Sequence, residues 1–499
     1  MVRATFLLAF ALFCSVSAPN PGFRTEITQK GLDYVRQIGI PILEEKLKSI
    51  DIPKVTGEAD SPIGTVSYYA ENLVGSHLVI PSSALTVVPN VGLEIAAKEI
   101  SMLVTGKWHY RRNGWPHIEG TGTFDVTVSD VSLSIIVIVG ADASGQPNVS
   151  SKSCEFNIGH MSIDFHGTGS WFYNLFSNVI SNDVKGVIEK SVCNLATKEI
   201  SVEANAALST LPIVEKVSSF SEINFELISA PVFNESYLQT FHKGEFLYVP
   251  HPVQVPYQPT SLPPASPSSR MMTIWLTDYI ANSAGFVYQD ANVLHLNVTQ
   301  NMLPSNLPIQ LNTSSFKYFL PTLYEKYPNL PMQLFVNATA PPYLNISKSS
   351  VNLTFPGEVT VFVADNGIII NTFTLGIIMH GTVHIALRQN GTKEIIYGNA
   401  TYLKSDITLL HSNIGHIDVT KLESAVNALC LLVAVPYLNV KYGAPGIQIP
   451  SIDGASFVDP VITQGQDYVR IDTDIHYDSS LKKSGFVQLK SSEESPLDI

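Results

Sequence analysis

Apolar residues recur at three- and four-residue steps in several long segments, which is the spacing of one face of an α-helix. The first segment, Thr28–Ile50, predicts an amphipathic helix with Thr28 as its N-cap. A second helix is predicted over Ser170–Ile200, a shorter one over Ser314–Tyr327 and a long apolar one over Asp418–Tyr437.

Between these segments apolar and polar residues alternate, which is typical of half-buried β-strands. In the first half the alternating runs are Ser67–Ile80, Leu93–Trp108, Gly120–Val139 and Phe156–Phe165. Further strand-rich segments are predicted over Ile223–Tyr248, Met271–Val298, Pro331–Leu410 and Ile447–Val487. Each half has the predicted order helix, meander, helix, strands, which indicates an α+β protein built by duplication of one domain.

A proline-rich strap separates the two halves. Val249–Pro267 holds seven of the chain's 31 prolines and no acidic or basic residue. Proline fixes φ and lacks an N–H donor, so neither a helix nor a central strand can run through this segment. We expect an extended interdomain spacer rather than a ligand for a cytosolic proline-binding domain. The predicted divisions are a signal peptide at 1–17, a first domain at 18–248, a linker at 249–270 and a second domain at 271–499.

The N-terminal residues predict secretion. Arg3 precedes an apolar run over Ala4–Phe13, and small residues then allow cleavage after Ser17. No later run reaches about 18 consecutive apolar residues, so we expect a soluble extracellular protein. Asn-x-Ser/Thr sequons predict a glycoprotein modified at Asn148, Asn234, Asn297, Asn312, Asn337, Asn345, Asn352, Asn390 and Asn399.

The four cysteines are predicted to be in three different states. Cys14 leaves with the signal peptide. We expect a disulfide between Cys154 and Cys193, which would attach the second long helix to the preceding sheet. Cys430 lies in an apolar run and is predicted to be a small buried hydrophobic residue.

Short motifs of covalent or phosphate chemistry are missing from the sequence. It contains no G-x-S-x-G, G-x-G-x-x-G, H-E-x-x-H or P-loop pattern. His380 and His384 are four residues apart on a predicted strand, about 13 Å, which is too far for them to share a metal ion. We therefore expect no enzyme activity, no metal site and no cofactor. The long helices either complete an ordinary core or line a cavity that holds a lipid.

Six short blocks, in order on both sides of the strap, carry a resemblance to a known family. They are Gln29–Tyr34, Val88–Leu93, Gly106–Trp108, Leu276–Tyr279, Ala284–Gln289 and His411–Gly415. These blocks resemble the family of bactericidal/permeability-increasing protein and lipopolysaccharide-binding protein, which includes the plasma phospholipid and cholesteryl ester transfer proteins. The cysteine pair also lies where that family places its single disulfide.

The resemblance implies an elongated boomerang of two similar barrels, each a twisted antiparallel sheet closed by two helices, joined by a central β-sheet. It also implies an apolar pocket in each barrel that holds a phospholipid as ligand. The apolar faces of the two first-half helices supply the predicted pocket residues, which are Leu32, Val35, Leu43, Leu47, Phe172, Leu175, Phe176, Val179 and Ile180.

The charge balance departs from the basic first half that the resemblance implies. Residues 18–250 contain 16 basic and 25 acidic residues, and residues 251–499 contain 13 and 18. This acidic balance weakens long-range steering to an anionic membrane. A local cluster of cations, accompanied by the aromatic residues Trp108, Tyr110 and Trp115, is nonetheless predicted at one barrel tip. We expect this cluster to bind the phosphates of lipid A or a membrane surface. Its cations are Lys46, Lys48, Lys54, Lys107, Arg111 and Arg112.

Two functions fit these features. One is a secreted protein that binds bacterial lipopolysaccharide in innate defence against Gram-negative bacteria, which the Gly-Lys-Trp hairpin favours. The other is an extracellular carrier of phospholipid or neutral lipid without an antibacterial role, which the acidic balance favours. Either would be a monomer that contacts membranes or lipoproteins transiently and binds no nucleic acid.

Overall fold

The computed structural model describes residues 19–478 and Ser480, apart from residues 49, 62–63, 168–169, 267 and 304–309. The side chains of Asp51, Ser61 and residues 170–180 also fall outside the description. The predicted signal peptide and residues 481–499 therefore lie outside the described residues.

The first half starts with a strand and a helix and continues into long strands. Its elements are β1 (Phe23–Thr28), α1 (Gln29–Lys48), β2 (Asp51–Ile52), β3 (Val55–Ser61), β4 (Gly64–Val79), β5 (Ser82–Val88), β6 (Gly92–Arg112), β7 (Glu119–Ala141), β8 (Pro147–Gly167), α2 (Ser170–Leu208), β9 (Val214–Lys216), β10 (Ser221–Asn224), β11 (Val232–Asn234), β12 (Tyr237–His242) and β13 (Glu245–Tyr248).

The second half again starts with a strand and a helix. Its elements are β14 (Met272–Thr277), α3 (Asp278–Asp290), β15 (His295–Val298), a 3₁₀ turn (Gln300–Met302), α4 (Pro321–Lys326), β16 (Met332–Ala338), β17 (Tyr343–Ile346), β18 (Val351–Asp365), β19 (Ile368–Asn390), β20 (Lys393–Ser412), α5 (Val419–Leu429), α6 (Val435–Leu438), β21 (Ile447–Gln448), β22 (Ala455–Gly465) and β23 (Tyr468–Tyr477). A π-helical turn at Cys430–Ala434 joins α5 to α6, and a second at Asn439–Gly443 extends α6, so residues 419–443 form one helix, the 419–443 helix.

Each half forms a curved antiparallel sheet with helices packed against it. The first sheet has the order β2-β4-β6-β7-β8, with β3 on β4 and β5 on β6. The second has the order β15-β16-β18-β19-β20-β21, with β17 on β18. In the first barrel the inward positions alternate with outward ones, and α2 adds Val184 and Ile188, both fully buried. The fold is therefore the predicted α+β pair of similar barrels.

A central six-stranded sheet joins the halves in the order β11-β12-β1-β14-β23-β22. The order is symmetric, because each half supplies its first strand at the centre and a later hairpin on the outside. β1 and β14 pair directly, with Arg24 opposite Trp275. The predicted duplication is thus visible as a pseudo-twofold arrangement about the β1–β14 pair.

The strap follows this central sheet. Residues 251–266 contain no helix or strand. Arg24 Nη1 donates to the Pro263 carbonyl at 2.8 Å, and Arg470 Nη2 donates to the Ser266 carbonyl at 3.0 Å. Proline residues lack an N–H group, so few hydrogen bonds can form within the strap. Its carbonyl groups accept hydrogen bonds from arginines of the central sheet.

Two sequence predictions are wrong in the second half. Met271–Val298 was predicted to be strand-rich, but Asp278–Asp290 forms α3, which buries Tyr279, Ile280, Ser283 and Val287 at helical spacing. The short helix predicted from Ser314 begins only at Pro321, because a residue before proline disfavours the α conformation; Leu320 accordingly has φ −134° and ψ 70°.

Thr28 directly precedes α1, the position predicted for the N-cap, and its hydroxyl group bonds to the second half of the chain. It ends β1, and its hydroxyl donates to the Arg270 carbonyl at 2.7 Å. The helix itself is present as predicted, with Pro41 inside it. Thr28 therefore links the first half to the chain that enters β14.

The predicted sequons lie at accessible positions. None of the nine asparagines is buried, and Asn345 and Asn352 stand opposite each other on β17 and β18. Glycosylation at these positions stays a prediction.

Cys154 of β8 and Cys193 of α2 form a disulfide that closes a separation of 39 residues. Replacing both residues by serine is expected to lower the free energy of unfolding by about 4 kcal/mol, because the unfolded chain regains the entropy of that loop. Urea denaturation of the variant and the wild type measures the loss. A reductant should destabilise the wild type to the same level and leave the variant unchanged; a variant as stable as the oxidised wild type would contradict the prediction.

Candidate functional site

An apolar cavity of about 800 Å³ lies between the central sheet and the second barrel. One wall includes Phe23 and Leu276, which are register partners on β1 and β14. The other walls come from α3, from β17 to β21, from the end of the 419–443 helix and from residues 217–220 of the first half. Both halves of the chain therefore build this cavity.

Local sequence explains how α3 forms one wall. The helix presents small or apolar residues to the cavity, namely Ile280, Ala281, Ala284, Gly285 and Tyr288. Their spacing matches one face of a helix. A Cβ at Gly285 would lie 2.2 Å from the Pro342 carbonyl oxygen, so this close approach of α3 to the chain before β17 requires glycine.

The strands supply the opposite wall by alternation. Leu353 and Phe355 on β18, and Val383 and Ile385 on β19, are pairs two residues apart that line the cavity. Residues two apart on a strand lie on the same face. The sheet thus presents a continuous apolar surface to whatever occupies the cavity.

Aromatic and cationic groups stand at one part of the cavity lining. Tyr288 makes edge contacts with Phe220 and Tyr442, at centroid distances of 5.2 and 5.4 Å. The Tyr442 hydroxyl donates to the Val293 carbonyl at 3.0 Å, and burial raises the pKa of Tyr442. Lys441 is exposed, and its Nζ donates to the Tyr437 hydroxyl oxygen at 2.7 Å. This exposed ammonium marks the rim of the cavity.

An acidic group lies elsewhere in the lining. Asp278 is the first residue of α3, and burial, together with the negative charge of Asp467, raises the pKa of its carboxyl group to about 6. Backbone N–H groups of Tyr279 and of Asp278 itself offset part of this rise. Ionisation of Asp278 near neutral pH therefore costs folding free energy.

The pocket residues predicted in the first half have mixed positions. Leu32 packs in a small core with Leu85 and Phe233, and Leu43 and Leu47 belong to the main core of the first barrel. Val35 is 53% exposed. The other predicted pocket residues lie outside the described side chains; they are Phe172, Leu175, Phe176, Val179 and Ile180. The residues of the second half that line the cavity were not predicted. The small residues at helical spacing along α3 could have indicated that this segment packs closely at a cavity wall.

The predicted cationic cluster does not converge on one tip. Lys46 pairs with Glu199 of α2 at 3.1 Å, and Lys48 is exposed at the end of α1. Because α1 leads into β2, which pairs with Val74 and Leu73, this end of the helix is next to the later part of β4, whereas the β6–β7 hairpin is next to the start of β4. Lys54 pairs with Glu71 at 3.3 Å, and Glu71 stands opposite Lys107.

Strand alternation also divides the residues of the hairpin. Lys107 and Arg111 point outward, whereas Trp108 and Tyr110 are 5% and 3% exposed and belong to the barrel core. Arg112 shares their inward parity, and its Nη1 donates to the Pro116 carbonyl at 3.1 Å.

Carboxylates accompany the outward cations. Arg111 stands opposite Glu119 on one side and Ser67 on the other, and Ser67 stands opposite Glu58. Trp115 remains a surface aromatic residue of the hairpin, at 85% exposure. The hairpin is thus a mixed-charge surface with one exposed tryptophan rather than a purely basic tip.

The 419–443 helix corresponds to the long apolar helix predicted over Asp418–Tyr437. Its mean hydropathy reaches 1.4 over an 18-residue window, of which 28% is buried, so by length and composition it could cross a membrane. Leu422, Ala425 and Val433 pack it onto the second barrel. Asn427 and Pro436 interrupt its apolar run, so the sequence predicts the helix but no uninterrupted membrane-spanning segment.

Two family domains match consecutive parts of the chain. The N-terminal domain of the LBP / BPI / CETP family matches residues 31–211, and the C-terminal domain of that family matches residues 215–477. The chain belongs to the LBP/BPI/CETP family. The family predicted from the short sequence blocks is therefore confirmed.

Relatives align over nearly the whole length. A bactericidal permeability-increasing protein of Sebastes schlegelii is 31% identical and covers 96% of this chain and 100% of the relative. Human lipopolysaccharide-binding protein is 29% identical and covers 95% of this chain and 98% of the relative. A crystal structure of lipopolysaccharide-binding protein superposes with a TM-score of 0.59 at 26% identity, covering 92% of this chain and 99% of that one.

The raised pKa of Asp278 predicts a pH-dependent effect of D278N. The unfolded carboxyl group titrates near pH 4 and the folded one near 6, so its ionisation penalises the folded state fully above pH 6 and not below about pH 4. D278N should therefore raise the melting temperature at pH 7.5 and change it little at pH 4. D290N, at the exposed end of the same helix, is the control and should show no such pH dependence. An equal effect of D278N at both pH values would contradict the assignment.

Proposed function

We propose that this protein is a secreted lipid-binding protein that holds phospholipid in its apolar cavity and recognises bacterial lipopolysaccharide in defence against Gram-negative bacteria. The cavity is the observation that supports lipid binding. Its volume of about 800 Å³ falls within the range of roughly 300–1,000 Å³ that ligand pockets span, and its walls are largely apolar.

Binding at this cavity follows from its polarity. Acyl chains that enter it leave water and contact apolar walls, which stabilises the complex by about 25 cal/mol per Å² of apolar surface buried. A polar headgroup would remain at the rim, where Lys441 is exposed. Uptake and release need no covalent step, so the proposed role is that of a binding protein and not of an enzyme.

Lipopolysaccharide recognition is supported by the named relatives and by the β6–β7 hairpin. The relatives include a lipopolysaccharide-binding protein and a bactericidal permeability-increasing protein. Lys107 and Arg111 could contact lipid A phosphates, and Trp115 is exposed enough to enter a lipid interface. Secretion is proposed on the same basis, together with the N-terminal signal in the sequence.

A second candidate function is lipid transfer between membranes or lipoproteins without an antibacterial role. The specific observation that favours it is the placement of Glu71 opposite Lys107 and of Glu119 opposite Arg111. A carboxylate directly across the strand from each cation reduces the attraction of the hairpin for phosphates. Both candidates use the same cavity.

Filling the cavity tests the lipid-binding part. Ile385→Trp should abolish the co-purified lipid, because the larger side chain occupies space between β19 and α3. Native mass spectrometry of the purified protein measures bound lipid. Ile385→Val preserves the space and should retain it; a lipid-free wild type, or full lipid retention in the tryptophan variant with circular dichroism unchanged, would reject this use of the cavity.

A charge variant of the hairpin separates the two candidates. The K107Q/R111Q variant should bind lipid A about tenfold more weakly than wild type if these cations contact the phosphates. Titration of lipid A followed by intrinsic tryptophan fluorescence measures the affinity. K152Q/K190Q removes two exposed cations elsewhere on the same barrel and should leave the affinity unchanged. Equal affinity of wild type and K107Q/R111Q would remove the hairpin from recognition and favour the carrier.

A further inference from the structure

Two cations stand at the rim of the cavity in the second half. Lys441, in the last π-helical turn of the 419–443 helix, lines the cavity beside Leu438 and Tyr442. Arg388, near the end of β19, donates from Nη2 to the carbonyl of Pro445, another lining residue, at 3.1 Å. Both cationic residues are exposed.

Among the residues that the structure describes, no carboxylate neutralises either cation. Within the described part of the chain, the interactions of Lys441 and Arg388 are with tyrosines and a backbone carbonyl, and no ion pair includes either residue. Asp278, an acidic residue of the cavity lining, forms no ion pair with either cation within the described part of the chain. In a chain with a net charge of −13, two cations without carboxylate partners at one rim leave room for an external anion.

Both cations lie beside tyrosine rings, and Lys441 approaches Tyr437 at its hydroxyl group. Lys441 Nζ lies 5.1 Å from the ring centroids of both Tyr437 and Tyr442. The Arg388 guanidinium lies 5.4 Å from the centroid of Tyr397, which also lines the cavity. A quaternary ammonium headgroup needs such faces for cation–π contact. Here it would meet a lysine or an arginine instead, without a carboxylate to balance the added charge.

We propose that the cavity selects an anionic two-chain phospholipid, whose phosphate binds Lys441 and Arg388, over a choline phospholipid. This inference rests on the proposed function, because the acyl chains are assigned to the apolar cavity. The phosphate accepts hydrogen bonds from the ammonium and guanidinium groups, and the headgroup brings no cation of its own.

Competitive loading tests the preference. Delipidated full-length protein is incubated with vesicles of equimolar phosphatidylglycerol and phosphatidylcholine of identical acyl chains, and native mass spectrometry after deglycosylation counts each bound lipid. Wild type should favour phosphatidylglycerol by about tenfold. The R388Q/K441Q variant should bring the ratio close to one with total bound lipid unchanged. K348Q/K404Q, which removes two exposed cations outside the cavity lining, should keep the wild-type ratio.

The outcomes separate the selectivity from the proposed function. Equal loading of the two lipids by wild type, or an unchanged ratio in R388Q/K441Q, would overturn the anionic preference while leaving lipid binding intact. Loading of neither lipid would overturn the proposed use of the cavity and the preference with it. A parallel incubation with inorganic phosphate distinguishes the source of the anion: a stable phosphate adduct formed without lipid would show a site independent of acyl chains and overturn the proposal.

Discussion

The pairing of β1 with β14 is the constraint on which the rest of the molecule depends. It places Arg24, Trp275 and Arg470 in one row across the central sheet, with the two guanidinium carbons 4.4 and 5.0 Å from the centroid of the Trp275 ring. Arg24 is only 5% exposed, and burial lowers its pKa; its Nη2 forms an ion pair with Glu26 Oε1 at 3.0 Å. A buried cation without such partners would be costly, so the row fixes one register between the halves.

The register of the β1–β14 pair also determines the geometry of the cavity. Phe23 and Leu276 are opposite each other in the β1–β14 pair and both line the cavity. α3 follows β14 without a connecting loop, so its small-residue face is aimed by the same strand. A slip of one residue would send the side chains of β1 to the other face of the sheet. The lipid site is therefore a property of the joined halves and not of the second barrel alone.

Sequence patterns predicted the periodic elements well and the contacts between distant segments poorly. The long helices and the meander strands followed from three-to-four-residue and two-residue spacing, and Cys154 and Cys193 were paired from their number and position. α3 was missed because Phe286, Val287 and Tyr288 favour strands, and tertiary burial of one face overrides that preference. The residues that line the cavity were not predicted, because its walls come from segments as far apart as Phe23 and Val469, which only the folded chain brings together.

Charge illustrates why composition alone misleads about partners. The net charge of −13 argues against long-range attraction to anionic surfaces, and a Debye length of about 8 Å at physiological salt limits any attraction to close contact. At close contact, register decides the outcome. Arg111 faces Glu119, whereas Lys441 faces two tyrosines that hold its charge without neutralising it. An acidic protein can therefore still recognise an anion at the cavity rim, since a short-range site needs unneutralised neighbours and not a positive total.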